Sequence, residues 1–193
     1  MALIDTLSES ERGQCETVAF RKGQVLFQEG DECLGVSLVM GGKIRISGVS
    51  LEGKQIVYNL IGVGDMFGNN LVFSSDNTYR GAVTADEDGA LLYIRKETLV
   101  RLIQGNADFL FAYLRAQSDL GKRMNSRIRL LSLSSPEERL DYYLSMHKGR
   151  VEVKSITALA LELHVQRETL SRLVNGKIKE GTLRYENHIL SVA

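Results

Sequence analysis

The chain has 193 residues, 44% of them apolar and 25% charged, with a formal net charge of zero. That is the ordinary composition of a soluble globular protein, and a buried core is easily possible. No apolar run reaches the ~18 residues that span a bilayer, and the opening "MALIDTLSESERGQCE" is too polar for a signal peptide, so a cytoplasmic protein is expected.

The zero sum hides an asymmetry. Residues 1–105 carry 10 Lys+Arg against 14 Asp+Glu, and residues 106–193 carry 14 against 10. A polyanion would therefore meet the second part. Residues 1–146 contain no histidine, which argues against a histidine-built metal site of cupin kind or a histidine-ligated haem there. Cys15 and Cys33 are too few to ligate an iron–sulfur cluster alone. They read either as small buried hydrophobes or as a redox input.

From Val18 to Ile94 short β-type runs follow one another: "QVLFQ", "GVSLVM", "KIRIS", "KQIVYNLI" and "LLYI". Gly23, Gly30, Gly42, Gly53 and Gly64 separate them at the spacing of an antiparallel barrel or jelly roll, where tight turns need positive φ. "ADEDGA" (85–90) reads as one more hairpin turn.

Near Lys96 the pattern turns helical. "ETLVRLIQ" is a short helix, and a long one is expected from about Asn106 to Leu131. Its residues Leu110, Leu114, Gln117, Gly121, Met124, Ile128 and Leu131 recur in steps of 4 and 3. Such a stripe pairs with its twin in a coiled coil, or alternatively packs on its own domain. Gln117 is a polar interruption, and Gly121 permits close approach. "SSPEER" (134–139) starts another helix, with Ser135 as N-cap and Pro136 at the first helical position.

"SITALALELHVQRETLSRLV" (155–174) reads as helix, turn, helix. Leu159, Ala160, Leu163, Leu170, Leu173 and Val174 supply the buried side, and Val165 sits in the turn. Gln166, Arg167, Glu168, Thr169, Ser171 and Arg172 are left at the start and outer face of the second helix. A helix presented this way enters a DNA major groove. Arg167 or Arg172 can donate two hydrogen bonds to guanine, and Glu168 can accept from cytosine; the alternative is an ordinary solvated face. "KIKEGTLRYENHILSV" then reads as two short strands around a turn at Glu186-Asn187. Such a hairpin would serve as a wing, with Lys177, Lys179 and Arg184 either contacting phosphates or standing as ordinary surface charges.

In this order the parts resemble the Crp/Fnr family of bacterial transcription regulators. The resemblance is carried by "FRKGQVLFQEGD", "GGKIRIS", "EGKQIVYNLIGVGDMFG", the "RGAVTA" from Arg80, and "RETLSRL" (167–173). It implies an α+β chain: a cyclic-nucleotide-binding-like antiparallel β-roll (1–105), a long dimerisation helix and hinge (106–133), and a winged helix-turn-helix (134–193). The implied function is a homodimeric, sequence-specific DNA-binding transcription regulator with an effector-responsive β-roll, not an enzyme. The alternative is a cyclic-nucleotide-binding regulatory module acting on a protein partner. The implied partners are double-stranded operator DNA, a second copy of the chain and RNA polymerase, with no membrane.

The sequence departs from the family pattern at several points. His164 and Gln166 stand in the turn where the family has glycine and serine, and Ala158 replaces a glutamate. Asn175-Gly176 is expected to shorten the second helix. In the effector cassette the candidate binding residues are Gly68, Asn69, Asn70, Arg80 and Gly81. The resemblance places an arginine fork and backbone amides on a phosphate, and an acidic residue on a ribose hydroxyl. Here Asn69 replaces that acid and Gly81 replaces the serine or threonine after the arginine. A hydrogen bond to a charged group is worth ~1.5–3 kcal/mol against ~1 for a neutral one. Cyclic AMP is therefore the less expected effector, and another small molecule in the roll, or none, is expected instead.

Overall fold

A computed structural model describes residues 3–50, 52–53 and 55–193. Lys54, the first residue of the expected strand "KQIVYNLI", lies outside the described residues. The chain forms two compact units, Met1–Ser118 and Asp119–Ala193.

In the first unit a 3-10 turn (Leu3–Thr6) and a one-turn helix α1 (Glu9–Arg12) precede eight strands. These are β1 (Glu16–Phe20), β2 (Val25–Phe27), β3 (Gly35–Gly41), β4 (Ile44–Val49), β5 (Gln55–Ile61), β6 (Met66–Phe67), β7 (Ala82–Ala85) and β8 (Gly89–Arg95). They make two four-stranded antiparallel sheets, ordered β1-β8-β3-β6 and β2-β7-β4-β5. The core holds Phe20, Val36, Ile44, Phe67, Val83 and Ile94, contributed by both sheets. Gly23, Gly30, Gly42, Gly53 and Gly64 all take positive φ, between 77° and 90°, as the turn reading requires.

The expected hairpin at "ADEDGA" is not one. The strands on either side, β7 and β8, belong to different sheets, so the segment is a crossover. Its acids are tied to other parts of the roll. Asp86 pairs with Arg45 at 3.4 Å, Glu87 pairs with Lys43, and Asp88 accepts from the Lys22 N–H at 2.7 Å. An acidic glycine turn signals a reversal of the chain, but not which sheet receives the next strand.

Helix α2 (Lys96–Gly105) leads to the long helix α3 (Ala107–Ser132), within a residue of the expected span. Phe109 and Tyr113 of α3 are buried in the roll core. Leu114, Met124, Ile128 and Leu131, on the stripe read from the sequence, are exposed.

In the second unit α4 (Pro136–Met146) begins at Ser135, which accepts from the Glu138 N–H at 3.1 Å, while Glu138 accepts from the Ser135 N–H at 3.1 Å. This reciprocal cap satisfies two donors that a helix start leaves open. Then come β9 (Arg150–Glu152), α5 (Ile156–Leu163), α6 (Arg167–Lys179), β10 (Leu183–Glu186) and β11 (Ile189–Val192). The three strands form one antiparallel sheet, β10-β11-β9, in which β9 is a strand the sequence reading lacked. Leu140, Leu159, Leu163, Leu170 and Leu190 are at its core with Leu130 of α3.

Two local expectations are corrected here. Asn175-Gly176 does not shorten α6, which continues through both residues to Lys179. Lys177, Ile178 and Lys179 are therefore helical, and the wing strand starts only at Leu183. The wing turn lies at Asn187-His188, whose φ values of 49° and 62° are those of a two-residue hairpin turn.

Candidate DNA-reading face and effector cassette

The turn between α5 and α6 is made by His164, at φ 51° and ψ 49° in the left-handed region. Histidine accepts this conformation where the family has glycine, at a modest steric cost. Val165 then donates its N–H to the Ala160 carbonyl at 2.9 Å, and Ser155 caps α5 by accepting from the Ala158 N–H at 3.1 Å. At the start of α6, Gln166 makes no side-chain cap, so the first N–H groups of this helix keep their donors for another partner.

At about 100° per residue, Arg167, Ser171, Asn175, Glu168, Lys179 and Arg172 fall within an arc of about 140°. All are exposed except Ser171, which is half-buried. Leu173, Lys177, Leu170 and Val174 fill the opposite side, and Thr169 sits half-buried at the flank. The six sequence-derived residues at 166–172 thus stand at the start of the outer face or on its flank. Asn175 was missed as a candidate, because the sequence reading ended the helix where Asn175 begins its last turn.

Lys177 is corrected by the same geometry. It lies about 160° from Lys179 around the helix. Its ammonium pairs with Glu137 at 2.8 Å and Asp141 at 3.2 Å, with its side chain only 15% exposed. The hydrogen bond to Glu137, above all, holds the ammonium pKa above its ordinary value. Its charge is used inside the unit. Lys179 on α6 and Arg184 on β10 remain exposed cations. Arg167 and Glu168 approach at 3.7 Å, a loose pair at 63% and 70% exposure that leaves both groups open to a ligand.

Arg139, another residue that sequence reasoning missed, fastens the turn. Its guanidinium donates to the carbonyls of His164 at 2.9 Å, Leu133 at 3.1 Å, Leu163 at 3.3 Å and, at 3.5 Å, Leu131. These carbonyls close α5 and the end of α3, and such groups have no partner within their own helix. Arg127 also reaches His164, Nη2 to Nε2 at 3.3 Å. Arginine only donates, so Nε2 here is the unprotonated nitrogen of a neutral ring. Burial, then the charges of Arg127 and Arg139, push the imidazole pKa down, consistent with that form.

The effector cassette lies in the first unit. Gly68 is buried at φ 80°, and a Cβ there would meet the Gly35 carbonyl at 2.8 Å and Cys33 Sγ at 3.1 Å. Glycine at this position is required by the close approach of β3. Cys33 is itself fully buried and donates to the Gly35 carbonyl at 3.1 Å.

Asn69 is buried and turned onto α3. Its Nδ2 donates to Gln117 Oε1 at 2.7 Å, and Gln117 Nε2 donates back to the Asn69 carbonyl at 2.8 Å and to Tyr113 Oη at 3.0 Å. The polar interruption of the helical stripe is thus a partner of the cassette. Asn70 is exposed. Arg80 is 74% exposed and pairs with Asp76, whose carboxyl is held below its usual range by Thr78 and then by Arg80. Gly81 is buried against the Ser47 carbonyl and the Tyr58 ring.

Residues 17–106 match the cyclic nucleotide-binding domain family. The chain is similar to the cyclic AMP receptor protein of Thermus thermophilus, 26% identical over 86% of this chain and 78% of that protein. It is likewise similar to the regulatory protein HlyX of Actinobacillus pleuropneumoniae, 25% identical over 100% of this chain and 86% of that one. In fold it is similar to a CooA variant from Carboxydothermus hydrogenoformans, with a TM-score of 0.74 and 22% identity over 98% of this chain and 89% of that one. Among the described residues no helix is long and apolar enough to cross a membrane.

Proposed function

We propose that this chain, whose residues 17–106 match the cyclic nucleotide-binding domain family, is a sequence-specific DNA-binding regulator of transcription of Crp/Fnr type acting as a homodimer. The observation that carries this reading is the outer arc of α6, where two arginines, a glutamate and an asparagine are presented by a helix fastened at its turn.

Each of these side chains fits a base edge. Arg167 and Arg172 can each span guanine O6 and N7, Asn175 can pair with adenine N6 and N7, and Glu168 can accept from cytosine N4. Lys179 and Arg184 are suited to phosphates, which fix register without reading sequence. Gln166, Thr169 and Ser171 border the same surface as shorter hydrogen-bonding groups.

The second copy is supported by the exposed apolar residues Leu114, Met124, Ile128 and Leu131 on one side of α3, with Gly121 among them. Two such helices side by side would present two recognition helices to half-sites about one DNA turn apart. The regulator works in the cytoplasm, where operator DNA and RNA polymerase are its partners. The β-roll is the part placed to receive an effector, with Gly68, Asn69, Asn70, Arg80 and Gly81 as its cassette.

Selection of random duplexes by the purified protein across a salt series tests the reading. A two-fold symmetric sequence should emerge, and Arg167→Ala should relax the preference at one guanine by about 1–3 kcal/mol. Equal weakening on every sequence would make Arg167 a phosphate contact; binding without any sequence preference would refute the proposal.

A further inference from the structure

The inner wall of the effector cassette is covered by a side chain of the roll itself. In β7, Val83 and Ala85 are buried in the core, so the two-residue alternation turns Gly81 to the same inner face. In β4, Ile44 is in the core and Ile46 packs on it, so Gly48 also faces inward. Opposite β4 the register of β5 steps from Ile46↔Asn59 to Ser47↔Val57, leaving Tyr58 as the extra residue of a bulge. Such a bulge re-aims its side chain.

The Tyr58 ring lies over both glycines. A Cβ on Gly81 would stand 2.8 Å from ring carbon Cε2 and 2.7 Å from the Ser47 carbonyl; one on Gly48 would stand 2.3 Å from Tyr58 Oη. Those distances are below any real carbon contact, so the two glycines are what allow the ring to rest there. A ligand group set against these two glycines would have to displace the ring.

Two other polar groups of the cassette, Asn69 and Arg80, have partners as well. The Asn69 amide is bound to Gln117, and the Arg80 guanidinium is turned outward onto Asp76.

We propose that Tyr58 is the built-in occupant of this cradle and excludes the sugar-phosphate of a cyclic nucleotide from it. The inference rests on reading residues 68–81 as the effector cassette, and it is independent of the DNA-reading assignment. It separates this chain from what its domain family's name would suggest: the roll keeps its shape while an aromatic ring stands at the phosphate end.

Calorimetric titration of the full chain with cyclic AMP and with cyclic GMP is the first test. The native protein is expected to show no saturable heat at millimolar ligand, and saturable binding of either nucleotide overturns the proposal. The second test rebuilds the acidic group with and without the ring. Asn69→Glu should not bind cyclic AMP, while Asn69→Glu combined with Tyr58→Ala should bind at least about tenfold more tightly, a 1.4 kcal/mol difference. Equal binding by both, or by neither, overturns the role of Tyr58.

Should those variants fail to fold, the contact is read by stability alone. Gly81→Ala should lower the unfolding midpoint clearly in the native background and less in Tyr58→Ala, and equal shifts in the two backgrounds overturn it. Operator binding measured on the same samples keeps the readings apart. Its absence would count against the DNA-reading proposal only, whereas nucleotide binding by the native chain would count against this one only.

Discussion

Replacing Arg139 by glutamine should loosen the recognition helix without touching any residue of its outer face. The guanidinium serves four carbonyls, at 2.9, 3.1, 3.3 and 3.5 Å, and the two shortest are well-formed bonds to a charged donor. A bond of that kind contributes about 1.5–3 kcal/mol when well buried. Arg139 is only half-buried, so water can replace part of each bond, and a loss of about 2–3 kcal/mol for the whole group is expected. Urea unfolding followed by far-UV circular dichroism would measure the loss, and fluorescence anisotropy on the selected duplex would follow the consequence. Operator affinity should fall more than stability alone explains at low urea, where the variant is still folded, because the turn at His164 is no longer tied down. Arg139→Lys should recover part of the stability with one point donor but less of the affinity, since an ammonium cannot span carbonyls of two helix ends. If Arg139→Gln unfolds within about 0.5 kcal/mol of the native chain, the size of an ordinary surface substitution, the clamp has no energetic role and the reasoning fails.

The two lysines near the end of α6 should behave differently although they are two residues apart. Lys179→Ala should reduce the slope of log affinity against log salt by about 0.9, the value for one phosphate contact, whereas Lys177→Ala should leave the slope unchanged and lower stability instead. Gly176 is helical and a Cβ there meets nothing within 4 Å, so Gly176→Ala should raise the stability of the C-terminal unit by about 0.5–1 kcal/mol in denaturant titration. The His164 imidazole is pushed below its ordinary 6.5 by burial and by Arg127 and Arg139. Unfolding then favours proton uptake, so this contribution is complete above pH ~6.5 and is lost as pH falls through the depressed folded value. His164→Asn, which also tolerates a left-handed backbone, should remove that part of the pH dependence, as stability measured across an acid series would report.

Much of this molecule is written in short-range pattern. Five glycines at turn spacing, alternating apolar runs, the Ser135 cap and the helix-turn-helix of 155–174 each depend on residues within a few positions of one another, and local sterics and hydrogen bonding decide them. The errors arose where local signals point both ways. Asn175-Gly176 weakens a helix by propensity, yet Val174 is buried on one side and Lys177 is anchored by Glu137 and Asp141, and that packing carries α6 through. The phase of the extended helix then puts Asn175 outside and Lys177 inside.

By itself the sequence determined most of the element types, their order, and most of the residues a recognition helix would have to offer, because periodicity and turn chemistry are properties of neighbours. Only the tertiary structure decided the long-range pairs: Asn69 with Gln117, Tyr58 over Gly48 and Gly81, and Arg139 on the ends of two helices. Asn69 and Gln117 are 48 positions apart, and no periodic pattern links them. They meet because the apolar faces of the roll and of α3 bury each other around Phe109 and Tyr113, and the polar groups carried along must then find partners where they land.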